Sequence, residues 1–161
     1  MRLQLGQCAL EHFQTAVSLD PGQGFYWINF ANLLKDMGRP DDAERAYLRA
    51  VELLPADPVP HYNLGHLYQL WGKWPQALAF YRKSVDLDAG FFPGWNKLAA
   101  THLRLNQVAE AEHAARKAVE LAPDQAAGLP RWLLARPQRF DHLPGRAGPD
   151  ESLGNPRCLE L

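Results

Sequence analysis

Six histidines (His12, His61, His66, His102, His113 and His142) and two cysteines (Cys8 and Cys158) are the side chains best suited to metal binding or to acid, base and nucleophile work. Their spacing argues against each. A helical zinc site needs two histidines four residues apart flanking a glutamate, so that both imidazoles share one face. No pair here meets that. Two distant cysteines support neither a disulfide framework nor a thiolate zinc cluster. There is no Gly-rich phosphate loop and no nucleophile elbow. Glu110, Glu112 and Glu120 fall on one expected helix, where they read as a solvated face. Cys8 precedes an apolar alanine and has no assignable base, so it reads as an ordinary thiol. The residues point to a chain that is not an enzyme and needs no cofactor or metal.

Composition narrows the class further. The 161 residues are enough for one ordinary domain. Seventeen basic against eighteen acidic side chains leave a net charge of −1. A nucleic-acid binder shows a basic excess on one face, and a membrane-surface anchor shows a similar one, so neither partner is expected. No apolar run approaches the roughly 18 residues of a membrane span. The segment Met1–Cys8 has the faint outline of a lipoprotein cleavage site, but it lacks an apolar stretch, and Gln7 is too large and polar for the position before the cysteine. No export signal is read. Two unpaired cysteines fit a reducing compartment, hence a cytoplasmic protein.

What organises the chain is a period of 34 residues. Alanine recurs at Ala9, Ala43, Ala77 and Ala111, valine at Val17, Val51, Val85 and Val119, and leucine at Leu19, Leu53, Leu87 and Leu121. Phe13, Tyr47, Tyr81 and Ala115 form another column, and Pro21, Pro55, Ala89 and Pro123 close the unit. Trp27, His61 and Trp95 also align, as do Phe30, Leu64 and Leu98, then Ala31, Gly65 and Ala99. Trp27, Phe30, Ala31 and Leu34 have helical spacing and make one apolar stripe. Gly38, Gly72 and Asn106 are residues that tolerate the positive φ of a helix stop. Pro40 and Pro75 sit where a first helical turn accepts a proline ring. A second helix then carries Ala43, Tyr47, Ala50, Val51 and Leu53 inward. His61 and His102 occupy apolar columns and read as core substitutes rather than ligands.

In these columns the chain resembles the tetratricopeptide repeat family. Leu64-Gly65, Tyr68, Gly72, Ala77, Tyr81 and Ser84 follow the family pattern, with His61 in place of its first aromatic and Ala89 in place of its proline. The resemblance covers residues 1–125 and implies an all-α, right-handed solenoid of about three and a half helix–turn–helix repeats, seven helices in all. The expected divisions are 1–23, a partial first repeat with only its second helix (roughly Leu5–Leu19), then full repeats over 24–57, 58–91 and 92–125. The lone first helix either marks a truncation or caps the next repeat through its apolar side. Ala115, standing where an aromatic is usual, predicts a looser seam in the last repeat.

Beyond Ala126 the pattern stops. Five of the thirteen prolines fall there, at 130, 137, 144, 149 and 156. The segment 126–137 leaves room for one short helix, Arg131–Arg136, whose Trp132 and Leu133 would cover the end of the array. Residues 138–161 are expected to be disordered.

The resemblance also implies where a partner binds: in the concave groove, on the outward positions of each first helix. These are Phe25, Ile28, Asn29, Asn32 and Lys35, then Tyr62, Asn63, His66 and Gln69, then Asn96, Lys97, Ala100 and Arg104. Asn29 and Asn63 share a column that Lys97 completes. A side-chain amide both donates and accepts, so it can pair with the backbone of an extended peptide of any sequence. This column is similar to the asparagine ladder of sugar transferases that modify Ser and Thr. A carboxylate clamp of the chaperone-binding kind matches only in part: Asn32, Asn63 and Lys97 fit, whereas Ile28 and Pro93 stand where lysines are needed. Losing two of three cations removes most of the charge-assisted bonding.

The expected function is therefore a non-enzymatic protein–protein interaction module, with a protein or peptide partner held by Phe25 and Tyr62 as apolar anchors, Asn29 and Asn63 as backbone partners, and Lys35, Lys97 and Arg104 as attraction for acidic side chains. The alternative is the N-terminal substrate-recognition arm of a larger glycosyltransferase. Self-association through the array ends is a third expectation.

Overall fold

The structure, a computed structural model, describes residues 2–124, with side chains from Cys8 onward. The short helix expected within 126–137, the tail 138–161, and Cys158 lie outside the described residues. Seven helices run α1 (Arg2–Leu19), α2 (Gly24–Asp36), α3 (Pro40–Leu53), α4 (Pro58–Leu70), α5 (Trp74–Leu87), α6 (Phe92–Arg104) and α7 (Val108–Leu121), and among the described residues there is no strand. Each helix packs mainly on its neighbours along the chain, α2 with α3, α4 with α5 and α6 with α7 most closely. The result is the right-handed solenoid of helix hairpins that the period implies.

The turns inside the hairpins show why the period holds. Gly38, Gly72 and Asn106 have φ of 74°, 70° and 58°. In this left-handed conformation the next amide folds back over the helix end: Arg39 N donates to Leu34 O, Lys73 N to Tyr68 O and Gln107 N to His102 O, each at 2.9 Å. The carbonyls that a helix end orphans are thereby satisfied, three times in the same way. Pro40, Pro58, Pro75 and Pro93 all lie at the first or second position of their helices, where a missing N–H costs nothing.

The core runs between the hairpins as two clusters. Tyr47 and Tyr81 are fully buried, together with Ala43, Ala50, Ala77, Ala111 and Ala118. Val51 and Leu53, expected inside, are only half-buried. His61 and His102 are core residues as expected, 7% and 5% exposed. The tryptophans of the His61 column do more than fill space. Trp27 Nε1 donates to Pro21 O at 3.0 Å and Trp95 Nε1 to Ala89 O at 2.8 Å, tying each first helix to the loop before it. Imidazole is too short for that reach, and His61 Nδ1 is left buried without a partner.

Two expectations need correction. Helix α1 begins at Arg2 rather than near Leu5. Nothing in Arg2–Gln4 breaks a helix, and an interior glycine at Gly6 costs only about 1 kcal/mol. Its apolar side (Leu10 and Val17) is buried, with Leu10 in one cluster with Ala31 and Leu34, so α1 packs onto the next hairpin, although Leu19 stays 81% exposed. The seam at Ala115 is not open either: Ala115 is fully buried in the core cluster. The spare room in the last hairpin lies beside Ala114 instead.

Candidate functional site

The proposed groove is the face shared by α2, α4 and α6. Within it, Lys97 on α6 and Lys35 on α2 both bear on the proton affinity of His66 on α4. Burial, and then those two ammonium groups, hold His66 below its ordinary pKa, with Asp36 opposing them. Both lysines thus disfavour protonation of the same imidazole. Lys35 is mostly covered and lies 3.7 Å from Asp36.

The remaining positions separate into fixed and free groups. Tyr47 Oη donates to Asn32 Oδ1 at 2.5 Å, and Tyr81 Oη donates to Gln69 Oε1 at 2.7 Å. Both phenols rise from the core, so each fixes its amide by the oxygen and leaves the NH2 for another acceptor. Asn29 is exposed, and Asn63, Asn96 and Lys97 are half-buried. Phe25 is 58% exposed, an apolar ring in water at the edge of the face.

Three groove candidates sit differently from their outward assignment. Ile28 is buried, 5% exposed, and belongs to the wall of the face rather than its surface. Tyr62 is half-buried, with its ring 5.7 Å from that of Tyr81 and 5.5 Å from that of Phe91. Arg104 lays its guanidinium over the Trp74 ring at 5.1 Å, drawn toward the start of α5. The hydroxyls of Tyr47 and Tyr81 were missed as site elements. The available signal was a tyrosine, rather than a phenylalanine, in the inward column.

Those phenols make alkaline stability a test of the fold. Burial pushes Tyr47, Tyr62 and Tyr81 above the ordinary value, and the hydrogen bond to Glu44, aided by burial, pushes Tyr68 up to about 12. In the unfolded chain tyrosine titrates near 10. The folded state keeps its protons longer, so its advantage is complete below about pH 10 and is lost as pH rises through the raised values. His61 and His66, both lowered chiefly by burial, act oppositely: stability is complete above about pH 6.5 and falls below it. Urea midpoints followed by circular dichroism should be flat between these limits and decline on both sides. A midpoint unchanged at pH 11 would contradict the phenol assignment.

Known proteins place this architecture. Among solved structures, MamA from Desulfovibrio magneticus superposes with a TM-score of 0.65 at 22% identity, covering 77% of this chain and 70% of that one. YrrB, described as a TPR protein with an unusual peptide-binding site, gives 0.66 at 24% identity over 72% of this chain and 60% of its own. The first TPR of Spaghetti (RPAP3), bound to an HSP90 peptide, gives 0.61 at 21% over 65% of this chain and 84% of its own. At these identities the likeness establishes the fold. Among curated sequences, mouse protein O-mannosyl-transferase TMTC2 is 31% identical over 90 residues, 47% of this chain and 11% of its own length. Human tetratricopeptide repeat protein 17 is 30% identical over 78 residues, 48% of this chain and 7% of its own. The chain spans between 6% and 13% of the length of the curated relatives it matches. Sequence models of the tetratricopeptide repeat match residues 26–57, 46–79 and 92–125. With its repeated hairpins, helix stops and inward tyrosines accounted for, the chain belongs to the tetratricopeptide repeat family.

Proposed function

We propose that this chain is a non-catalytic interaction module, resident in the cytoplasm, that holds an extended segment of a protein partner across α2, α4 and α6. The observation that carries the reading is the pair of amides, Asn32 and Gln69, fixed by core tyrosines, with no other partner for their NH2 groups among the described residues. Preorganised donors lose little entropy on binding. Asn29 and Asn63 add adaptable amides beside them, and Phe25 adds an exposed ring. Lys35 and Lys97, whose charges both act on His66, favour a segment carrying an acidic side chain there. The peptide complex of the RPAP3 repeat and the peptide site ascribed to YrrB support a peptide partner for such a scaffold.

The test begins with partners captured by the full chain, reduced to the shortest binding segment. Asn32→Ala with Gln69→Ala, and separately Asn29→Ala with Asn63→Ala, should each weaken that segment about tenfold, roughly two net hydrogen bonds, with unchanged helicity. Unchanged affinity would sink the reading. Sedimentation over a range of concentrations separates a partner site from self-association through the array ends.

A second reading has one observation behind it, the 31% identity to TMTC2. In that reading the array is the substrate-recognition arm of a larger glycosyltransferase. A continuous reading frame encoding a sugar-transferring domain would support it, and a frame without one would remove it.

A further inference from the structure

The second feature that could bind something lies outside the groove. A surface hollow of about 450 Å³ is enclosed by α5, α6 and α7. Trp95 and His102 of α6 wall it, Ala114 of α7 forms its floor, and Asp86 of α5 and Glu110 of α7 stand on its rim. One period earlier the residue equivalent to Ala114 is Phe80, whose ring stacks on Tyr68 at 5.2 Å and on His61 at 6.4 Å. The last hairpin lacks that ring, and the space remains.

Two periods earlier, the same place shows what the rim lacks. There a hollow of about 360 Å³ carries Asp42, which pairs with Arg39 at 2.5 Å and also with Arg45. The side-chain bond from Arg39, foremost among its partners, holds Asp42 below the ordinary carboxylate value. Glu110 is the counterpart of Asp42, but Gln107 and His113 replace its two arginines. Gln107 turns instead to His102, with Oε1 2.7 Å from Nδ1. His102 is 5% exposed, and with Nδ1–H donating to that oxygen its Nε2 is an acceptor with no partner among the described residues. Neither Glu110 nor Asp86 is in an ion pair among the described residues, and neither is Arg82, the one cation on the rim.

We propose that this hollow receives an arginine side chain of a protein partner, which supplies from outside the guanidinium that the earlier hairpin carries itself. A planar cation with five N–H donors suits the site: Glu110 and Asp86 offer carboxylates, His102 Nε2 offers a lone pair, and the Trp95 indole lines the wall, with the His113 ring 6.0 Å from it and nearly perpendicular. This chain already uses such a pairing, Arg104 over Trp74. The earlier hollow, rimmed by arginines, repels the same group, so one arginine site is expected along the array.

The probe is a fluorescein-labelled Gly/Ser peptide with one central arginine and neutral flanks, titrated into the full chain at low salt by anisotropy. Glu110→Gln should weaken it about tenfold, the loss of one charge-assisted hydrogen bond. His113→Arg, which restores the cis guanidinium, should weaken it at least as much. Glu110 and His113 are both exposed, so neither change threatens folding. The peptide with glutamine for arginine should not bind. Asn29→Ala with Asn63→Ala should leave arginine binding intact, which separates this site from the groove. Equal binding by wild type and Glu110→Gln, or loss of binding in the asparagine variant, would overturn the assignment.

Discussion

Tyr81→Ala is expected to lower folding stability by about 3–5 kcal/mol, the usual cost of removing a fully buried aromatic ring. Tyr81 has no exposed surface and belongs to the cluster that joins the second and third complete hairpins. Its ring meets Tyr62 and its hydroxyl holds Gln69, so truncation leaves a cavity and releases a groove amide together. Against a total of about 5–15 kcal/mol for an ordinary domain, the loss leaves the chain close to unfolding at 37 °C. Urea denaturation followed by circular dichroism measures it. Tyr81→Phe keeps the ring and should cost only about 1 kcal/mol. A Tyr81→Ala variant with a wild-type midpoint would show that this seam does not hold the array together.

Gly65→Val should be nearly as damaging, for the opposite reason. Gly65 lies inside α4, where alanine is worth up to about 1 kcal/mol more than glycine on propensity alone. Here that gain is overridden. A Cβ at Gly65 would stand 2.7 Å from both Cδ1 and Cε1 of Tyr81, and 3.1 Å from its Cγ. The ring cannot retreat, because it is buried on all sides and tethered by its hydroxyl. Overpacking of this kind costs about 1–3 kcal/mol for the first added carbon, and valine adds two more. The two sites must therefore couple. With Tyr81→Ala already present, Gly65→Ala should cost nothing and should restore up to about 1 kcal/mol through propensity alone. A double-mutant cycle with additive losses would refute the contact as the reason for the glycine.

The groove and the outer hollow differ in how they were legible. Asn29, Asn63, Lys35 and Lys97 could be assigned to one face because the 34-residue period carries each position onto the next hairpin. The behaviour of Ile28 could not. Its column is outward by periodicity, yet it is 5% exposed on a helix that packs against both α1 and α3. Nor could the seam at Ala115, which is fully buried without an aromatic ring to fill it. The hollow beside Ala114 appears only when Phe80, one period away, is seen stacked across Tyr68 and His61. A small residue in a sequence does not say whether its neighbours move in or leave a space.

By itself the sequence determined the hairpin unit, its stops at Gly38, Gly72 and Asn106, and the inward columns led by Tyr47 and Tyr81. These follow from local rules: helical spacing, the left-handed stop and the proline at a helix start all act within a few residues. Only the tertiary structure decided which amides the buried phenols hold, which charges surround His66, and which hollow stays open. Those depend on distances between side chains in different hairpins, and no local rule sets them.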